Sequence, residues 1–370
     1  MLKIIYIALL SLCVNNCLIA HNISFIFPIK EGNTKDVASV LDLRGEILHL
    51  PKNVTLRFKQ GGCIKNGSII ADNTSIVGYT QNIFENVQIK GEWNVQYIST
   101  AMFKNKTDLN LLKSVLSLAS DKVDNVVIIE DGDYDVAAEC NGETILNVPS
   151  NTQMIINGTI RMIPNAFSSY SIIGLNGANI VLHGRGEIIG DKHTHKGRTG
   201  EWGMGVRLSE CNKVDIYDIT VKDCWGDCIY IGTESTDVLI NNCTLVHGRR
   251  QGISITSASN VLIENCIIMN VGGTAPEYAI DIEPNDNSTV DGVIIRNVKS
   301  INCKGGFLAC GESKNASINS IELYNCNVEG FTKADYAFNM CNDIKIIKCT
   351  SDKDSRKLII GCKNVVIQEF

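Results

Sequence analysis

Asp281 and Glu283 stand two residues apart in Tyr278-Ala-Ile-Asp-Ile-Glu-Pro-Asn285. In an extended chain that spacing puts both side chains on one face, with Cα atoms roughly 6.5 to 7 Å apart. Paired carboxyls suit acid–base work on a bond held between them. Inverting glycoside hydrolysis wants carboxyl groups about 6.5–9.5 Å apart, and retention wants about 5–5.5 Å. Asp227, in Trp225-Gly-Asp-Cys228, is a third carboxylate. Arg249 and Arg250 offer bidentate hydrogen bonds to an acid group on a ligand. The same residues suit a lyase, in which Asp281 and Glu283 hold Ca²⁺ against a uronate. They also have plain structural readings. Asp227 after Gly226 can cap its own turn, and the two arginines can pair with neighbouring acids.

These residues need a scaffold that repeats. Val214-Asp-Ile-Tyr-Asp-Ile219, Val238-Leu-Ile-Asn-Asn-Cys243, Val261-Leu-Ile-Glu-Asn-Cys266, Val293-Ile-Ile-Arg-Asn-Val298, Ile321-Glu-Leu-Tyr-Asn-Cys326 and Ile344-Lys-Ile-Ile-Lys-Cys349 share one pattern at a period of roughly 23 to 32 residues. Repeats of that length predict a solenoid whose units are stable only when stacked. Alternating apolar residues predict strands with one buried face. The fifth positions (Asp218, Asn242, Asn265, Asn297, Asn325) predict a polar ladder at a turn. The sixth positions predict an inward ladder of small hydrophobes. The expected fold is all-β, a right-handed parallel β-helix over residues 125–370 with one short N-terminal helix. That helix is expected at 107–122, with Leu109, Leu112, Leu116 and Ala119 on one face, covering the open end of the solenoid. Residues 22–100 read as an irregular N-terminal β region.

A second strand of each coil also stacks: Gly205-Val-Arg-Leu208, Cys228-Ile-Tyr-Ile231, Gly252-Ile-Ser-Ile255, Ala279-Ile-Asp-Ile282 and Gly306-Phe-Leu-Ala309. The outward row is then Arg207, Tyr230, Ser254, Asp281 and Leu308. Asp227 falls on the coil two before Asp281, about 10 Å away by strand spacing. Trp202, His247 and Tyr278 lie on loops or edges beside this row. Small residues next to acids, arginines and aromatics predict a cleft for a hydroxyl-rich ligand. The expected site is Asp227, Asp281 and Glu283 as catalytic groups. Trp202, Arg207, Tyr230, His247, Arg249, Arg250, Ser254 and Tyr278 are expected to bind the substrate.

Cys224-Trp-Gly-Asp-Cys-Ile-Tyr-Ile-Gly232, followed by His247-Gly-Arg-Arg-Gln-Gly-Ile-Ser-Ile255, resembles the core of the polygalacturonase-type glycoside hydrolases of family 28. Those enzymes carry Gly-Asp-Asp-Cys on one coil and Gly-His-Gly on the next. Ile128-Ile-Glu-Asp-Gly-Asp-Tyr134 resembles the first strand of pectate-lyase-superfamily proteins. The resemblance implies a right-handed parallel β-helix acting on polysaccharide, with Asp227 at the first motif Asp. Cys228 replaces the second Asp, and no Asn-Thr-Asp triplet precedes, so the motif is incomplete.

The remaining features bound the function class. A net charge of −6 excludes a basic nucleic-acid surface. Lys3 before the apolar run Ile4–Leu12, with Ala20 at a cleavage position, predicts a signal peptide over 1–20. Cys13 and Cys17 offer a weaker lipid-anchor reading. No other segment is long and apolar enough to span a bilayer. The fifteen cysteines read mostly as small buried hydrophobes rather than disulfides, and no zinc-spaced pair occurs. Trp225 reads as a sugar-stacking platform beside Trp202. His193 and His195 form a loop His-x-His with no third ligand in the sequence, and no metal site is expected. The strand-like end Val365–Phe370 has no evident cap, leaving a surface for a second copy. The reading is an exported polysaccharide-cleaving hydrolase. A lyase or epimerase using the same groove and a non-catalytic glycan-binding or adhesin-like β-helix are the alternatives.

Overall fold

Four successive coils of the C-terminal unit each contain a three-residue strand flanked on both sides by residues in the left-handed backbone region. Thr220–Lys222, Thr244–Val246, Ile267–Met269 and Lys299–Ile301 are four such strands. The structure is a computed structural model that describes residues 27–104, 107–352 and 355–369. The expected signal peptide and the lipid-anchor cysteines Cys13 and Cys17 lie outside the described residues. Two compact units are present: one of residues up to Tyr79 together with Ile83–Glu92, the other of Thr80–Asn82 with Trp93–Phe370.

The C-terminal unit is the expected parallel β-helix. The short strands stack into a nine-stranded sheet among the described residues. A second, larger sheet is formed by strands that bend and serve two faces. Trp202–Tyr217 pairs through its first half with Ile229–Gly232 and through its second half with Ser235–Asn241. All these pairings are parallel. The predicted register holds residue by residue: Val206, Ile229, Ile253, Ile280 and Phe307 are partners in succession. All five are buried. Burying a branched side chain of this size contributes about 1.5–3 kcal/mol, so a one-residue slip would expose the whole row.

The turn before each short strand carries the expected ladder. Asp218, Asn242, Asn265, Asn297 and Asn325 have φ between 50° and 56°, a conformation that Asn and Asp adopt at least cost. Asn242 Nδ2 donates to Asp218 Oδ1 at 2.6 Å, Asn297 to Asn265 at 3.1 Å and Asn325 to Asn297 at 2.8 Å. Immediately after, Ile219, Cys243, Cys266, Val298, Cys326 and Cys349 point into the core and are buried. The cysteines among them are free thiols. A hydrogen bond to Cys266, together with burial, pushes the Cys243 thiol far above its ordinary range.

The N-terminal unit is more regular than its sequence suggests. Thr34–Val37 pairs in parallel with Thr55–Phe58. Val40–Asp42, Ile47–His49 and Thr55–Phe58 each pair in parallel with Cys63–Gly78. It too is built of stacked parallel strands, of which the first four are only three or four residues long. The helix is shorter than expected. It spans Asp108–Leu116 and buries Leu112, Val115 and Leu116 rather than Leu109 and Ala119. It packs on Asn125–Ile129, Asp133–Val136 and Glu143–Val148. The edge of Asn125–Ile129 is itself paired with Tyr97–Ser99, so the helix is not what closes that edge. At the other end, Leu358, Ile360, Val366 and Ile367 are exposed.

Candidate functional site

The outward row of the second strands floors a cleft of about 410 Å³. Arg207, Tyr230 and Asp281 line it from that row, with Trp202, Arg250, Thr256 and Glu283 around them. The volume suits a small ligand or one or two rings of a longer one. A hollow of about 690 Å³ in the N-terminal unit, between Phe27 and Pro51, brings together no comparable acid–base set.

Arg250 organises the centre. Its Nη1 lies 3.5 Å from Asp227 Oδ2, its Nη2 3.7 Å from Glu283 Oε2, and its Nε 3.8 Å from Glu201 Oε2. Asp227 is fully buried. It reaches that depth because Gly226 precedes it: a Cβ at Gly226 would stand 2.4 Å from the carbonyl oxygen of Glu201. Ser254 Oγ donates to Asp227 Oδ2 at 2.9 Å, and Oδ1 has no partner. Burial pushes the Asp227 carboxyl up to about 6, against the pull of Arg250 and Ser254.

Asp281 is 1% exposed. Gln251 Nε2 donates to its Oδ2 at 2.7 Å, and Gln251 Oε1 accepts from the Tyr278 backbone N–H at 2.8 Å. That second bond fixes the amide, so Oδ2 is an acceptor and the unpartnered Oδ1 is the oxygen that can carry a proton. Burial, then the charge of Glu283, pushes the Asp281 carboxyl well above its ordinary value. One guanidinium faces four carboxylates here, and a proton on the most buried unpaired one relieves the excess. Arg250 responds in the opposite sense. Burial alone would weaken its charged state, but Asp227, Asp281, Glu201 and Glu283 together hold it more firmly protonated.

Several expected site residues fall elsewhere. Ser254 is buried beneath the cleft, bonded to Asp227. Tyr278 is buried against Ala334 and Ala337. Arg249 donates to the carbonyls of Gly200 at 2.9 Å and Trp225 at 3.3 Å and lies 3.7 Å over the Trp225 ring. His195 stacks on the same ring at 3.8 Å, so Trp225 packs the turn and offers no sugar platform. Trp202, 47% exposed, lines the cleft. His247 bonds Asp223 away from the cleft lining. His193 and His195 part company. His195 is buried on Asp191, while His193 is exposed and meets Asp223. Sequence reasoning missed Gln251 as a site residue, although it shares an edge position with Asp227. Arg207 falls where the sequence put it. This arginine lines the cleft, its Nε is buried without a partner, and no carboxylate lies within ion-pair range among the described residues.

A family model described as a right-handed β-helix region matches residues 145–321 and 204–368. "Uncharacterized protein YclG" of Bacillus subtilis (strain 168) is 31% identical over 217 residues, 50% of this chain and 37% of that protein. The SPbeta prophage-derived protein YorA of the same organism is 30% identical over 163 residues, 37% of this chain and 28% of that one. The chain thus spans 37% and 28% of the length of the two curated relatives it matches. Among solved structures, a hyperthermoactive exopolygalacturonase from Thermotoga maritima is similar at TM-score 0.48 and 14% identity, covering 74% of this chain and 81% of that one. A polygalacturonase from Erwinia carotovora ssp. carotovora is similar at TM-score 0.46 and 13% identity, covering 74% and 93%. An alginate lyase from Paenibacillus sp. str. FPU-7 gives 0.41 and 12%, covering 74% and 99%.

Proposed function

The chain belongs to the right-handed β-helix family, and within that fold we propose that it is a glycoside hydrolase acting on an acidic polysaccharide. The observation that carries this reading is the pair Asp281 and Glu283 in one cleft. Burial and the charge of Glu283 push the Asp281 carboxyl well above its ordinary value, and its Oδ1 has no hydrogen-bond partner. Glu283 is 42% exposed and lies 3.7 Å from Arg250. Asp281 gives its proton to the glycosidic oxygen as the bond to the anomeric carbon breaks. Glu283 takes a proton from water, whose hydroxide adds to the opposite face of that carbon. Their Cα atoms stand about 6.5 to 7 Å apart by strand spacing, and their side chains can open to the carboxyl separation of about 6.5–9.5 Å that inversion needs. Asp227, sealed under Arg250, positions the guanidinium. Arg207 is the cleft cation left without an acid partner, and a uronate or sulfate group on the substrate would supply one.

The Ca²⁺-dependent lyase reading is weaker. The carboxylates that would hold the ion already surround Arg250, so the ion would have to displace a guanidinium. We also place the protein outside the cytoplasm, on the strength of Lys3 and the apolar run Ile4–Leu12. Among the described residues no helix is long and apolar enough to cross a membrane.

The test is a panel of acidic and neutral polysaccharides, read by release of reducing ends and by absorbance of unsaturated uronate. Reducing ends from acidic polymers without that absorbance are expected. Asp281→Asn should lower the rate at least about a hundredfold while binding persists. Full activity in Asp281→Asn would overturn the assignment. Unsaturated product would establish a lyase, and binding without cleavage a glycan-binding protein.

A further inference from the structure

His193, Asp223 and His247 come from three separate connections and converge on one atom. His193 Nε2 lies 3.1 Å from Asp223 Oδ1, and His247 Nδ1 lies 3.0 Å from the same oxygen. One ligand atom from each of the three lies within 4.8 Å of the others. We propose that these residues bind a divalent transition-metal ion of the zinc, cobalt or nickel type, which ties together the loops that feed the cleft.

The geometry needs little change. A metal bound at about 2.1 Å by imidazole and carboxylate in a tetrahedral arrangement sets its ligands about 3.4 Å apart. Two of the three separations are within a few tenths of an ångström of that value. Only the two rings, now with centroids 5.6 Å apart and nearly perpendicular, must close in. Two imidazoles and one carboxylate favour zinc-like ions over Mg²⁺ and Ca²⁺, which prefer all-oxygen sets. Water would complete the coordination. The side chains of His193 and His247 are 61% and 40% exposed, which leaves an ion free to enter. Asn270 Nδ2 lies 3.2 Å from His247 Nε2. Turning this amide would let its oxygen accept a hydrogen bond from Nε2–H and free Nδ1 for the metal, the usual role of an outer-shell partner.

This is more than one more rung of a turn ladder. Asp223, His247, Asn270 and Asn302 do occupy one turn position on successive coils, all with φ between 53° and 58°. His193 does not belong to that series. It arrives from the loop after Glu187–Ile189 and meets the same oxygen that His247 meets. The three connections are also the ones that deliver the cleft. Asp223 stands four residues before Asp227, His247 three before Arg250, and the loop of His193 runs on into Trp202. An ion here acts as a positioning element at the root of all three.

The experiment uses the full chain, stripped with chelator, and titrates it with Co²⁺ followed by visible ligand-field absorption. One equivalent should bind, Zn²⁺ should displace it, and Ca²⁺ and Mg²⁺ should not. His193→Ala and His247→Asn should each weaken binding more than about a hundredfold. His247→Asn installs the residue found at the same turn on the next two coils, so its fold is preserved. The proposal fails if the wild-type chain takes up no Co²⁺ or if both variants bind like wild type. It also fails if near-ultraviolet thiolate-to-cobalt charge transfer shows that cysteines hold the ion. No readout depends on glycan cleavage, so the result is independent of the function proposed for the cleft.

Discussion

The turns before and after each short strand share a backbone and differ in what they carry. Both place a residue in the left-handed region, at φ near 50–58°. From Asp218 to Asn325 the turn before holds Asn or Asp and is followed without interruption by a small buried residue. Over those coils its connection to the next strand keeps one length, as Asp218 to Thr220 and Asn242 to Thr244 show. The turn after begins with Asp223, His247, Asn270 or Asn302 and leads into connections of different lengths. A connection of fixed length can only stack copies of itself, so selection there acts on packing. A connection of variable length can rise out of the stack, and it is there that Asp227, Arg250 and Gln251 are found. The same backbone turn thus serves the core on one side and chemistry on the other.

Substitutions can break this contrast in order of severity. Placing a carboxylate at the inward position after the first turn, with Cys266→Asp, should destabilise by about 3–5 kcal/mol or more, because the charge is buried unpaired. Denaturant unfolding reads this directly. The second turn already carries an acid, Asp223, at 22% side-chain exposure, which shows how differently the two sites treat a charge.

The buried Asp227 on the functional side should leave a mark on stability against pH. Its carboxyl rises from 3.8 to about 6 on folding. Between those values the unfolded chain has lost the proton and the folded chain still holds it. The folded state therefore binds more protons, and stability falls as pH rises through that window. The full effect is about 3 kcal/mol at 1.36 kcal/mol per unit. It is absent below pH 3.8 and complete above about 6. Asp227→Asn should flatten the slope of unfolding free energy between pH 4 and 6; an unchanged slope would mean that another group carries it.

The smallest effect belongs to the ladder itself. Asn297 bonds one neighbour on each side. Asn297→Gly keeps the turn and loses the exposed bonds, for about 1 kcal/mol. Asn297→Ala adds a left-handed cost of about 1–2 kcal/mol. Equal melting temperatures for the two variants would show that the hydrogen bonds alone matter there.

The parts legible in the sequence are those that repeat. The register of Val206, Ile229, Ile253, Ile280 and Phe307, and the stacking of Asn265, Asn297 and Asn325, follow from periodicity, because in-register stacking turns sequence period into spatial contact. Trp202, Arg207, Tyr230, Arg250, Asp281 and Glu283 fall into one cleft for the same reason: most of them ride on stacked strands. Contacts between loops have no period. Nothing in the spacing separates His193 from His195, sends Arg249 over Trp225 or brings His193 to Asp223. In the N-terminal unit Thr34–Val37, Val40–Asp42 and Ile47–His49 are too short to show alternation. Gln251 could have been found, since it holds the position on its coil that Asp227 holds on the preceding one.

In-register stacking also has an evolutionary consequence. Each strand of the solenoid pairs only with the coil before and the coil after, as Val238 does in pairing with Val214 and Val261. A duplicated coil inserted among such neighbours would find the partners it left, so chain length can drift by whole coils with little penalty to folding. The stretch from Ile229 to Ile282 does not share that freedom. One extra coil there would move Asp227 about 4.8 Å further from Asp281 and pull Arg250 out of reach of one of its acids. Lineages of this fold can therefore lengthen or shorten on either side of the cleft, while the coils beneath it must be inherited intact.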